Sequence, residues 1–133
     1  MQVTVMPNAT DLETFLAPYP PDVRELALAT RDLLAEVLPG AAETIDASAK
    51  LVGYGYGPGY KGCVCTLILS KSGVKIGILH GSELPDPKHL MQGSGKVHRH
   101  VQLQTIADLK HPGLKPLLEA ALSAWKKRND AEG

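Results

Sequence analysis

Apolar residues recur at helical spacing from Val23 to Leu38. Val23, Leu26, Ala27, Thr30, Leu33, Leu34, Val37 and Leu38 share one side, while Arg24, Glu25, Arg31, Asp32 and Glu36 fall on the other. This predicts an amphipathic helix that follows Tyr19-Pro20-Pro21-Asp22 and is stopped by Pro39-Gly40. A shorter helix precedes it: Thr10 and Glu13 form a capping box, Leu12, Phe15 and Leu16 supply the apolar side, and Pro18 ends it. Residues Met1 to Asn8 read as a loose lead-in.

After Ala41 the period changes. Thr44 to Ala49 predicts a short strand, and Cys63 to Leu69 is an apolar, β-branched run suited to a buried one. Ser70-Lys71-Ser72-Gly73 makes a turn, after which Val74, Ile76 and Ile78 alternate with Lys75, Gly77 and Leu79. That pattern is a hairpin with one buried face. Lys88 to Met91 predicts one helical turn, Gln92 to Gly95 a chain reversal, and His98 to Leu103 a further strand. Thr105 caps a short helix with Asp108 as its box partner. Gly113 opens the last helix, whose stripe is Leu114, Leu117, Leu118, Ala121, Leu122 and Trp125. Pro116 is tolerated in its first turn, Lys126, Lys127 and Arg128 suit the negative end of its dipole, and Asn129 to Gly133 is expected to fray. Helices, then antiparallel strands, then helices define an α+β domain with its helices on one side of a sheet. Neither a repeat nor a linker interrupts it.

Composition narrows the function classes. The 133 residues carry 14 basic and 14 acidic side chains, a formal balance of zero. Phosphate-backbone affinity needs a Lys/Arg excess, so nucleic acid is not expected as the main partner. No run approaches the roughly 18–20 apolar residues of a membrane span, so no membrane partner is expected. The opening MQVTVMPNATDLETF has neither a basic nor an apolar signal-peptide region, and cytoplasmic residence with reduced thiols is the simplest expectation.

The candidate chemistry gathers between Gly81 and Leu103, GSELPDPKHLMQGSGKVHRHVQL. Gly93-Ser94-Gly95-Lys96 resembles half of a phosphate loop, but Leu90 replaces the first glycine and Val97 the final hydroxyl. A local anion nest beside Lys96, Arg99 and His100 remains. His98 and His100 share a face if extended, and could hold a metal if a third ligand came from His80, His89, Glu83 or Asp86. Cys63 and Cys65 also point the same way on a strand, and if they lay opposite the histidines they would make a zinc site. Neither thiol is expected to be a nucleophile, because their neighbours Val64, Thr66, Leu67 and Ile68 predict burial. Tyr54 and Tyr56, interleaved with glycines, could line a pocket. Glu43, Asp46, Glu83 and Asp86 are scattered carboxylates without a pairing signal.

The residues Gly81, Leu84-Pro85-Asp86-Pro87, Leu90, Gly93, Gly95-Lys96 and Arg99-His100-Val101 together resemble the YdhG-like family of domains of unknown function. Tyr19-Pro20 before the long helix and Leu38-Pro39-Gly40-Ala41 with Glu43 extend the resemblance over about residues 12 to 122. It implies a single domain over residues 1–133, with its core at about 10–128. It also implies a frataxin-like, curved antiparallel sheet of about five strands backed by N- and C-terminal helices. Some relatives are described as iron chaperones, which makes intracellular metal binding the alternative function. The expected reading is a non-catalytic module, monomer or homodimer, that holds a small anion or a protein partner. Its ligand residues would be Gly93, Gly95, Lys96, Arg99 and His100 beneath Tyr54 and Tyr56, with no cofactor unless His98, His100, Cys63 and Cys65 take iron or zinc.

Overall fold

A computed structural model of the chain describes residues 9–57, 62–86, 89–93 and 98–132. Two helices come first, α1 (Ala9–Leu16) and α2 (Pro21–Val37). Pro21 occupies the first turn of α2, where its missing N–H is no loss, and Gly40 turns the chain out of the helix at φ 78°. The buried side of α2 is Val23, Leu26, Ala27, Thr30, Leu34 and Val37, as its periodicity predicts.

The sheet has six antiparallel strands: β1 (Ala42–Asp46), β2 (Leu51–Gly55), β3 (Cys63–Ser70), β4 (Gly73–Ile78), β5 (Met91–Gln92) and β6 (Arg99–Leu103), in the order β1-β2-β3-β4-β6-β5. β1 begins and ends earlier than Thr44 to Ala49. The Asp46 carboxylate accepts from the Ser48 hydroxyl at 2.7 Å and the Ala49 N–H at 3.2 Å, and that local bonding turns the chain before residue 49. The hairpin around Lys71-Ser72 forms in the expected register, with Ser70 opposite Gly73.

The helical turn expected at Lys88 to Met91 does not form over its described part. Both carboxylate oxygens of Asp86 are used, accepting from Leu90 N and Met91 N at 2.9 Å each, and Met91 goes straight into β5. A 3-10 turn stands earlier, at Gly81–Glu83. Met91 pairs with Val101 and Gln92 with His100, so the chain reverses between β5 and β6 as expected. The capping box at Thr105 and Asp108 is present, closing a 3-10 segment over Ile106–Lys110. The last helix, α3 (Leu114–Glu132), runs on past Asn129, whose amide donates back to the Trp125 carbonyl at 2.8 Å. Lys126 to Arg128 therefore lie inside the helix rather than at its end.

α2 and α3 cover one face of the sheet. Against them pack Cys65, Leu67 and Leu69 of β3, Val74, Ile76 and Ile78 of β4, and Val101 and Leu103 of β6. Each fully buried aliphatic side chain contributes about 1.5–3 kcal/mol, so this face dominates the stability. The opposite face carries the cross-strand row Thr44, Gly53, Thr66, Gly77, His100 and Gln92. One irregularity changes the chemistry: Tyr54 pairs with Cys65 but Gly55 with Cys63, leaving Val64 as the extra residue of a bulge. Val64 and Cys65 both turn into the core, and Cys63 does not follow them.

Candidate functional site

The basic residues converge at one end of the sheet, where β4 ends and β6 begins. Arg99 opens β6 opposite Ile78, which in turn faces Cys65, so its stem lies on the helix-covered side of the sheet. Gly81 presses directly against it: a Cβ there would stand 2.9 Å from Arg99 Cβ and 3.3 Å from Cγ. Only a glycine lets the turn and the arginine approach this closely. Gly93 closes the other side at φ +113°, a conformation that favours glycine, with its missing Cβ 3.4 Å from His100 Nδ1 and 3.9 Å from Arg99 Cδ. Two glycines thus seat Arg99, and one of them also seats His100.

The charges there are sparsely compensated. Arg99 Nη1 donates to the His98 carbonyl at 3.3 Å, and among the described residues no carboxylate lies within ion-pair distance of it. Partial burial, with the Lys75 ammonium as the lesser cause, holds the His100 imidazole below its ordinary range. His100 is therefore a neutral hydrogen-bonding group at pH 7. His80 stands in the left-handed region at φ 59°, its Nδ1 is 2.9 Å from Glu83 Oε2, and its ring meets that of His98 edge-on at 5.7 Å. The His80 N–H donates to His98 Nδ1 at 3.0 Å. Gly95 and Lys96 lie outside the described residues.

The tyrosines do not join this corner. Tyr54 belongs to β2 and Tyr56 follows directly after it, and β2 is separated from β6 by β3 and β4. Tyr54 is 3% exposed and gives its hydroxyl to Glu43 Oε2 at 2.7 Å. Tyr56 donates to the Pro39 carbonyl at 2.9 Å and packs its ring 5.2 Å from that of Trp125. Tyr54 is enclosed in the core and Tyr56 lies half-buried against Trp125, with two strands between them and β6.

The expected metal set does not assemble either. Cys65 is in the core, where burial pushes its thiol well up. The bulge sends Cys63 the other way, and its Sγ lies 3.8 Å from where a Gly53 Cβ would be, on the open face. Burial raises the Cys63 thiol as well. His98 Nδ1 already accepts a backbone bond, and β4 separates the cysteines from β6. Among the described residues no three His, Cys, Asp or Glu side chains converge to hold a metal ion. No described helix is long and apolar enough to cross a membrane.

A second polar cluster has no counterpart in the sequence reading. Glu43, 1% exposed, takes both Arg31 Nε and the Tyr54 hydroxyl on Oε2 at 2.7 Å each, while its Oε1 is buried without a partner. Burial, then the bond to Glu43, raises the Tyr54 phenol far above its ordinary range. The signal was available: Ala41, Glu43 and Ile45 alternate toward the core, so strand periodicity alone points Glu43 inward. No family model matches the chain, and neither the curated proteins nor the solved structures include a match.

Proposed function

We propose that the protein is a non-catalytic binding module that holds a small anion at the Gly93, Arg99 and His100 corner. The observation that carries this reading is the double glycine seat of an arginine with no carboxylate partner among the described residues. Arginine is costly to bury in part without a counter-charge, and an anionic ligand supplies one. The chain is otherwise neutral, so attraction is local rather than a property of the whole surface. Lys96, three residues before Arg99 in sequence, brings a second cationic side chain to this stretch, and Gly95 beside it belongs to the same motif. The likeness of Gly93-x-Gly95-Lys96-x-x-Arg99-His100 to the YdhG-like motif supports the same placement, as does the six-stranded α+β fold. The reading extends to a cytoplasmic protein, monomeric or dimeric, that takes its ligand from the small-molecule pool.

Titration of the labelled protein with inorganic phosphate and sulfate, followed by amide shifts, tests it. Shifts focused on Gly93, Arg99 and His100 are expected, and Arg99→Ala and Lys96→Ala should each weaken binding at least about threefold, as loss of a charge-assisted bond does. Binding unchanged in both variants would remove the anion corner.

A further inference from the structure

The corner has a part that binds nothing itself. His98 stands outside β6, yet it ties the two walls of the site together. Its imidazole Nδ1 accepts the N–H of His80, 18 residues away, and its carbonyl accepts Arg99 Nη1. His80 in turn caps the 3-10 turn Gly81–Glu83: its carbonyl accepts Glu83 N at 3.1 Å, and its Nδ1 meets the Glu83 carboxylate. That turn presents Gly81, the residue against which the Arg99 stem is pressed.

Resting on the anion-binding reading, we propose that His98 is a positioning residue, a clamp that fixes Arg99 in the binding corner by holding the His80 amide and with it the Gly81–Glu83 turn. The left-handed backbone at His80 explains why a clamp is needed. A non-glycine residue there is strained, and the conformation persists only where the surroundings impose it. The His80 amide has one acceptor, the imidazole, and that acceptor serves only while Nδ1 carries no proton. Neutral His98 therefore bears its proton on Nε2. Protonation of Nδ1 replaces the acceptor with a donor facing a donor, and the imidazole must turn away.

The groups that face His98 sharpen this consequence. The His80 ring lies edge-on to it, Glu83 reaches it through His80, and Arg99 is bonded to its carbonyl. A positive charge on this pair would draw an anion in while undoing the clamp, so a variant that keeps the acceptor and carries no charge separates the two effects.

Sulfate is the probe, because it stays dianionic over the whole range. At about pH 8, His98→Ala is expected to weaken sulfate binding on the order of three- to tenfold, the net worth of one neutral hydrogen bond. His98→Asn should restore most of it, since the asparagine oxygen occupies the place of Nδ1. A charge role for His98 predicts instead that the two variants, neither of which can carry a positive charge there, lose binding equally. Hydrogen exchange of the His80 amide gives an answer that needs no ligand. The clamp predicts protection in the wild type that is lost in His98→Ala and kept in His98→Asn. An unprotected His80 amide at pH 8, or His98→Ala binding sulfate as the wild type does, overturns the clamp. Absence of any sulfate-induced shift in the wild type, with the His80 protection intact, instead overturns the anion reading and leaves the clamp as a structural device.

Discussion

Glu43 is the residue with the most at stake per atom. Its carboxylate is enclosed, one oxygen carries two bonds, and the other carries none. Removing one side of a buried ion pair leaves the survivor without compensation, so Arg31→Ala should lower stability by about 3–5 kcal/mol. Tyr54→Phe removes one neutral donor and leaves the pair, so a smaller loss of about 1–2 kcal/mol is expected. Urea unfolding of the two variants ranks them, and equal losses would show that the arginine does no more for Glu43 than the phenol. Tyr54 also sets a pH limb. Its phenol is raised by burial, so the folded state favours the protonated form. That contribution is whole below the ordinary tyrosine range, about 10, and is lost as pH rises beyond it. His100 works at the other end: its lowered value makes the neutral form the folded one, with stability present above about pH 6.5 and lost as pH falls below it. His100→Gln should flatten the acid limb and Tyr54→Phe the alkaline one. An acid limb identical in His100→Gln and the wild type would place its origin in other groups.

At the scale of elements, what could be read from the chain was what is written locally. The α2 stripe, the Lys71-Ser72 hairpin and the Thr105–Asp108 box each need only neighbours within a few residues, and all three stand as the pattern predicts. The Val64 bulge, the Gly81–Arg99 contact and the His80–His98 bond join segments far apart in sequence, and no period announces them. The bulge shows the consequence for function, since the two-residue spacing of Cys63 and Cys65 promised one face and the extra residue divides them. Two glycines of β2, the strand opposite the bulge, make a test. A Cβ on Gly55 would run into the backbone carbonyl of Gly62, which also accepts the Tyr56 N–H, whereas one on Gly53 meets nothing nearer than 3.8 Å. Gly55→Ala should therefore destabilise by several kcal/mol or prevent folding. Gly53→Ala should change stability by no more than about 1 kcal/mol, with the gain in strand entropy as its main term. Comparable thermal shifts in the two variants would mean that the loop yields and the close approach is not a constraint.

For the molecule as a whole, the helices and the open sheet face divide the labour. α2 and α3 press on the same face of β3, and the cluster from Leu12 to Ala121 is continuous across both. The candidate site hangs on the far end of that slab, on strands whose core sides are Ile76, Ile78 and Val101. On the proposed reading this slab is the scaffold that keeps the Gly81 turn against the Arg99 stem. Such a layout predicts one unfolding event for the slab. Leu34→Ala in α2 and Leu118→Ala in α3, both fully buried, should each cost about 2–5 kcal/mol and shift the urea midpoint without altering the slope. Far-ultraviolet dichroism and Trp125 fluorescence should then trace the same transition in both variants. If Leu118→Ala lets the fluorescence of Trp125 change before the dichroism does, α3 is a separate cooperative unit. The slab would then be α2 and the sheet alone, and the anion corner would survive loosening of the C-terminal helix.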